Sequence, residues 1–332
     1  MNLENLEKVL VNEPEYRLKQ AKEAIFKKCI LNWNEATFFA LELREKLNKE
    51  CPLEIKADVL VSKEEDSVKA KITLKDGLEI ETVLMRHVDK RNTVCVSCQV
   101  GCPLGCLFCA TGKMGFKRNL TAEEILEQVI FFERYLKNER VTNITFMGMG
   151  EPFLNYDNVL KAIRILNNKD YFNIGARSIS VSTCGIVEGI EKYSHEGLQL
   201  NLAISLHAPN NKLRTELMPI NKKYNIDKIF KAVDEYIKIT KRKVMFEYIL
   251  INNVNDSDDC AGELAKLMRK KLYFVNLILY NKIDKISAFM PSETKKVESF
   301  KKILKKSGIN FVQRYRFGER IAAACGQFIT SK

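Results

Sequence analysis

From about residue 93 onward, runs that read as β-strands alternate with runs that read as α-helices, and no other feature restricts the fold as much. The strand-like runs are VCVSC (94–98), NITFMGM (143–149), SISVST (178–183), LNLAISLH (200–207), VMFEYIL (244–250) and FVNLILY (274–280). INFVQRYRF (309–317) is a candidate seventh. Amphipathic stretches lie between them. The clearest opens at Thr121, where Thr-Ala-Glu-Glu offers a capping box with Glu124. Ile125, Val129, Phe132 and Leu136 then fall on one helical face. Strands joined through helices run parallel, because each crossover returns the chain to the same end of the sheet. About six such units predict an α/β fold, a partial (β/α)6 barrel, whose active site lies at the C-terminal ends of the strands.

The chain before that point reads differently. Residues 1 to about 45 carry apolar residues at spacings of three and four, as in YRLKQAKEAIFKK and ATFFALELREKL, and predict helices. ADVLVSK, SVKAKITL and LEIETVLM follow as short alternating segments. The last two flank Asp76-Gly77, a hairpin signal. The expected organisation is an N-terminal accessory domain, helical with a small β part, over 1–80. A core over 81–332 follows, ending in a C-terminal segment.

Apolar residues make up 46% of the 332-residue chain, enough to bury a core. The opening MNLENLEKVLVNEPEYRLKQ is charged throughout and lacks the pattern of a secretory signal. No apolar run approaches the roughly 20 residues needed to span a bilayer. These features predict a cytoplasmic protein with no membrane partner, whose thiols stay reduced. Ten cysteines in that setting point to metal or redox chemistry more than to a disulfide framework. A formal net charge of +12 favours a polyanionic partner such as nucleic acid.

CQVGCPLGCLFCATGKMGF (98–116) concentrates the cysteines. Cys102, Cys106 and Cys109 have the spacing C-x3-C-x2-C, on the loop between the first core strand and the Thr121 helix. Structural zinc sites want four ligands, usually as two spaced pairs, and no second pair matches. Cys29, Cys51, Cys184, Cys260 and Cys325 are scattered. A zinc knuckle or plain buried thiols are the competing readings. A 4Fe–4S cluster on three thiolates leaves one iron open for a small molecule. The triad, with Phe108 beside its last cysteine, resembles the radical S-adenosylmethionine superfamily. The resemblance implies a 4Fe–4S cluster held by Cys102, Cys106 and Cys109. Its open iron would bind S-adenosylmethionine for one-electron cleavage.

Polar groups also end the later strands. MGMGEP (147–152) follows the second. Its glycines permit close backbone approach to a ligand, and Gly150 and Glu151 are candidates for the cofactor's amino group. Ser182, then Ser205, Leu206 and His207, then Asn281, end three further strands, where a barrel places ligand contacts. Each alone also reads as a cap or turn residue.

CVSCQVGC, MGMGEP, ISLHAP, LMPINK and the C-terminal AACGQ together resemble the RlmN/Cfr family of radical S-adenosylmethionine RNA methyltransferases. The likeness runs from the YRLKQ helix to Gln327. It implies that Cys325 is first methylated by one S-adenosylmethionine and that a second, cleaved to a radical, activates the S-methyl group. Two cofactor molecules are therefore used per turnover. The carbon radical then adds to an adenine, Glu81 accepts a proton, and Cys95 attacks the Cys325 sulfur to release product and leave a Cys95–Cys325 disulfide. Implied substrates are an adenosine in the peptidyl-transferase centre of 23S rRNA, and the adenosine 3′ of the anticodon in tRNAs, at carbon 2. A flavodoxin-like electron donor and a monomeric state are implied as well. Without the resemblance, Glu81 reads as a solvent-facing strand residue. Competing readings are a Cfr-type carbon 8 methyltransferase and a non-catalytic iron–sulfur RNA-binding protein. Arg17, Lys19, Lys113, Lys117 and Arg118 are candidate phosphate contacts. KKVESFKKILKKSG reads instead as a solvated helix face. The chain departs from the family pattern at Arg320 and Ala322, where acidic residues are usual, and mildly at Phe328. It also departs at Cys98, where serine is usual and where a second thiol could compete with Cys95.

Overall fold

The computed structural model describes residues 1–283, 288–315, 317–318 and 321–328. Three helices open the chain: α1 (Leu3–Val9), α2 (Glu15–Phe26) and α3 (Leu41–Glu50). Trp33, fully buried between α2 and α3, donates its indole N–H to the Cys51 carbonyl at 2.7 Å, so its one polar atom is paired. Strands β1 (Lys56–Val61), β2 (Ser67–Thr73) and β3 (Glu79–Arg86) form an antiparallel meander. Gly77 supplies the positive φ, +80°, that the Asp76-Gly77 turn between β2 and β3 needs.

The core follows as β4 (Asn92–Cys95), the small hairpin β5 (Gln99–Gly101) and β6 (Phe116–Asn119) with α4 (Ala110–Lys113) between them, then α5 (Ala122–Leu136). Next come β7 (Asn143–Phe146), α6 (Tyr156–Asn167), β8 (Ile179–Thr183), α7 (Val187–Ser194), β9 (Asn201–Ser205), α8 (Asn211–Leu217) and α9 (Ile226–Thr240). β10 (Val244–Leu250), α10 (Asp258–Leu267), β11 (Tyr273–Leu279), α11 (Thr294–Lys306) and β12 (Phe311–Gln313) complete it. The expected capping box forms: Thr121 accepts from the Glu124 N–H, and Glu124 accepts from the Thr121 N–H. Ile125, Val129, Phe132 and Leu136 are all buried, as their spacing requires.

The main sheet has the order β1-β2-β3-β4-β7-β8-β9-β10-β11-β12. β4 and the strands after it in that order are mutually parallel, and β12 adds a seventh beside β11. β4 and β12 do not pair, so the barrel is partial, as the alternation predicts. Residue 80 lies inside β3, which pairs with β2 on one side and β4 on the other. The meander thus continues the barrel sheet. Arg134 of α5 ties the opening helices to it by donating to the carbonyls of Cys29, Ile30 and Leu53.

Several expected strands end early, β9 at Ser205 and β12 at Gln313 among them. β4 stops at Cys95 because the chain turns, and the N–H groups of Cys98 and Gln99 bond the Met149 carbonyl instead. β7 stops at Phe146 because Gly148 and Gly150 carry the chain round a turn. A smaller apolar cluster, which includes Leu104, Phe108, Leu217, Met218 and Ile249, packs under the cysteine loop, separate from the main core. No helix among the described residues is long and apolar enough to cross a membrane.

Candidate active site

The cysteine loop folds over the C-terminal ends of the strands and closes one side of a cleft of about 940 Å³. Cys102, Cys106 and Cys109 line it with Gly150, Glu151, Ser182, Ser205, His207 and Cys325. Nine of the thirteen expected site residues therefore share one cavity. A second cavity, about 1570 Å³, is lined by Cys95, Asn281 and again Cys325. Met147, Glu247, Ile278 and Phe328 line both, so the two cavities adjoin. Leu206 and Glu81 line neither.

The Gly-rich turn is shaped by sterics. A Cβ on Gly148 would lie 2.7 Å from the Val96 carbonyl oxygen. One on Gly150, at φ +101°, would lie 2.5 Å from Gln99 Cβ. The turn delivers Glu151 to the cleft, 2% exposed. Its Oε1 accepts the Phe153 N–H at 3.0 Å and its Oε2 the Cys184 N–H at 2.7 Å. Burial raises the Glu151 carboxyl above its usual range, and those N–H groups offset only part of the rise. Such a carboxylate suits an ammonium. Ser182 and Ser205 meet at 3.4 Å on adjacent strands.

His207 has φ +56°, which turns the chain at the end of β9. Its Nδ1 accepts the Ile249 N–H at 3.1 Å, which places the ring proton on Nε2. Burial, with Arg214 nearby, drops His207 to about 3, so it is neutral at ordinary pH. Phe108, the aromatic beside Cys109, packs edge-on against the His207 ring at 4.8 Å. Leu206 has its side chain in the main core and offers the site only backbone.

Arg214, which sequence reasoning missed, holds these strand ends. It is fully buried. It donates to the carbonyls of Leu206 (3.1 Å), Ser205 (3.1 Å), Cys184 (2.7 Å) and Tyr224 (3.1 Å), and to Asn221 Oδ1 (2.8 Å). A rigid guanidinium fork can serve this many acceptors at once. Its position between ISLHAP and LMPINK was the available signal. Cys184, one of the scattered cysteines, is a fifth thiol in the cleft, beside Cys102, Cys106, Cys109 and Cys325.

The C-terminal segment is pinned across the cleft. Ala110 donates to the Gly326 carbonyl at 2.8 Å and Thr111 Oγ1 to the Phe328 carbonyl at 2.7 Å. Asn281 donates to the Cys325 carbonyl at 3.2 Å and Gln327 to the Lys282 carbonyl at 2.9 Å. Lys69 bridges Glu81 at 2.8 Å and the Ala322 carbonyl at 3.2 Å. Glu81 is therefore a buried, ion-paired strand residue, 3% exposed, and not the solvent-facing one its sequence context suggests.

Cys325 is exposed into the concavity. The protein around it raises its thiol, Arg314 lowers it and Glu247 raises it. Cys95 is buried and pushed up to about 12, chiefly by burial and then by the facing Cys325, with Arg314 opposing. Arg314, also missed, lies 3.6 Å from Glu247 Oε2 and is the cation that both thiols see. Cys98 is buried, lines neither cavity and has its thiol raised by burial and by Glu151. Arg320 lies outside the described residues. Arg118 is committed to Glu124 and Asp76, and Arg17 to the Phe38 carbonyl, whereas Lys19 and Lys117 are exposed.

The donor set fits an open cluster. Among the described residues, no three His, Cys, Asp or Glu groups converge as a single ion requires. A 4Fe–4S cluster needs no convergence, since each thiolate binds its own iron. Three soft thiolates, a buried carboxylate and the unpaired buried Oδ1 of Asn281 suit a cluster with a polar small-molecule ligand.

The model of the radical SAM superfamily matches residues 96–261. A Dictyoglomus thermophilum protein described as "Probable dual-specificity RNA methyltransferase RlmN" is 46% identical over 95% of this chain and 90% of its own length. One of the same description from Carboxydothermus hydrogenoformans is 46% identical over 95% and 92%. The crystal structure of a radical SAM methyltransferase from Sphaerobacter thermophilus superposes with a TM-score of 0.94 at 41% identity, covering 99% of this chain and 97% of that one. These likenesses show that the chain belongs to the RlmN family of radical SAM methyltransferases, which use a 4Fe–4S cluster and S-adenosylmethionine.

Proposed function

We propose that the chain methylates carbon 2 of adenosine in RNA, namely the peptidyl-transferase-centre adenosine of 23S rRNA and the adenosine 3′ of the anticodon in tRNAs. The observation that carries this is the meeting of Cys95 and Cys325, 230 positions apart in sequence, in one cavity that adjoins the triad's cleft. Cys102, Cys106 and Cys109 would hold the cluster. Gly150, Glu151, Ser182, Ser205, His207, Asn281 and the Leu206 backbone would hold S-adenosylmethionine. Together these groups supply, when bound, a methyl donor and a one-electron route to a hydrogen-abstracting radical.

The chain's own residues do the rest. Cys325 takes up the methyl carbon and presents it to the base. Arg314 lowers both thiols, against the burial that raises Cys95. Glu81 accepts a proton, and its bond to Lys69 links it to the backbone three residues before Cys325. Cys95 attacks the Cys325 sulfur: an S–S bond forms, the S–C bond breaks, and the methylene carbon keeps that bond's electrons and takes up the proton that the Cys95 thiol gives up, becoming the methyl group of the departing base. Neutral His207 packs against Phe108, and with Ile249 they give the cleft an apolar wall. The Glu151-Pro152 pair follows the RlmN pattern and supports carbon 2 over carbon 8. The N-terminal segment over 1–80 serves as an RNA-binding accessory domain ahead of the core over 81–332. The enzyme works as a cytoplasmic monomer fed by a flavodoxin-like donor.

Nucleoside mass spectrometry on an oxygen-free reconstituted reaction tests this. Unmodified 23S rRNA fragment and tRNA are supplied separately. 2-Methyladenosine from both is the expected result. 8-Methyladenosine would move the reaction to the other carbon, and no methyladenosine with an intact cluster would remove the assignment.

A further inference from the structure

The turn between β3 and β4 carries His87, whose backbone N–H bonds the Arg91 carbonyl at 2.9 Å and whose Nε2 meets Thr93 Oγ1 at 3.0 Å. Its ring packs edge-on against Phe317 at 4.8 Å and 65°. Phe317 in turn meets Tyr315 edge-on at 4.8 Å and 67°. The chain of three rings is fixed at its inner end and free at its outer end, where Tyr315 is 72% exposed. His87, Arg91, Tyr315 and Phe317 all line the cavity that holds Cys95 and Cys325. Arg91 sits beside the rings, paired with Asp89 at 2.8 Å in an exposed position. A large exposed ring that meets Phe317, itself held by His87, on the lining of a reactive cavity has little packing role of its own, since most of its surface faces solvent.

We propose that Tyr315, braced by Phe317 and His87, is a stacking platform for an unpaired RNA base next to the nucleoside that enters the cavity. This rests on the RNA reading given above. A base reaching Cys325 must leave its stack, which bares the face of its neighbour. A tyrosine ring offers that neighbour a partner with no demand on sequence, as suits an enzyme that takes more than one RNA. The net charge of +12 provides the accompanying attraction for phosphate.

The test uses the full-length, cluster-loaded protein and two fluorescent single-stranded probes of about 12 nucleotides. One is oligoadenylate and the other an abasic ribose-phosphate strand of equal length. Tyr315→Ala is expected to weaken oligoadenylate about tenfold. Tyr315→Trp should bind at least as tightly as the wild type. The abasic strand should bind wild type and Tyr315→Ala alike, with the same dependence on salt. Unchanged oligoadenylate affinity in Tyr315→Ala would overturn the proposal, as would an equal loss for the abasic strand, or a wild type that binds neither probe. Matching thermal melts of the variants guard against a folding artefact. If the wild type makes methyladenosine while Tyr315→Ala binds like it, only the platform falls. A base-dependent loss without methyladenosine in the wild type leaves the platform and removes the methyltransferase assignment.

Discussion

His207 shows how far burial moves one side chain. Unfolded, it titrates near 6.5; folded, it is held at about 3 by burial and Arg214. The folded pKa is the lower one, so below about 6.5 the unfolded chain takes up a proton the native state refuses. The group's contribution is complete above that pH and is lost at about 1.4 kcal/mol per pH unit as pH falls toward 3. His207→Gln should therefore flatten the fall in unfolding free energy between about pH 6 and 4, followed by urea titration at each pH; an unaltered slope would contradict this. The two thiols near β4 make a second test. Cys95 lines the cavity with Cys325 and Cys98 does not. Cys95→Ser should trap a covalent protein–RNA adduct visible as a gel shift stable to denaturant. Cys98→Ser should turn over normally, and an adduct from Cys98→Ser instead would exchange their roles.

At the scale of elements, Arg214 gathers the ends of β8 and β9 and the loop after α8 into one network. A lysine there places one compact ammonium where five acceptors wait, leaving buried carbonyls without donors. Arg214→Lys is expected to cost about 3 kcal/mol or more in urea unfolding, and to lower the iron bound per chain, because the strand ends that face the cluster loop lose their common anchor. Full iron occupancy with unchanged stability would show that the network is dispensable. The elements themselves were largely legible. Period-2 runs and the Thr121 capping box marked strands and helix α5, since local pattern and cap chemistry act over a few residues. The ends of β4 and β7 were not legible. Whether Cys98 pairs onward depends on the Met149 carbonyl, about 50 positions away, and no local pattern reports that.

Across the whole molecule, the net charge of +12 divides into cations free for RNA and cations already spent. Arg118 and Arg17 are tied internally, while Lys19 and Lys117 face solvent. RNA affinity should fall linearly in a log–log plot against salt. Lys117→Ala should reduce that slope by about 0.7 on single-stranded RNA. Arg118→Ala should leave the slope and lower stability, as its ion pairs are lost. Equal effects on the slope would mean that Arg118 leaves its partners to bind phosphate.

The parallel, open α/β sheet was legible from the residues alone, because alternating strand and helix periods admit few other packings. So was the chemistry class, because C-x3-C-x2-C carries its own ligand logic. The sequence named Cys95 and Cys325 through resemblance, but nothing local to either brings them together. Their meeting depends on β4 opening the barrel and on Ala110, Thr111, Asn281 and Lys69 drawing the last residues back over it. The burial of Glu81, the reach of Arg214 and the exposed ring of Tyr315 likewise follow from the folded packing. Each depends on which distant surface packs against a residue, and burial and charge pairing are properties of that packing, not of the residue's neighbours in sequence.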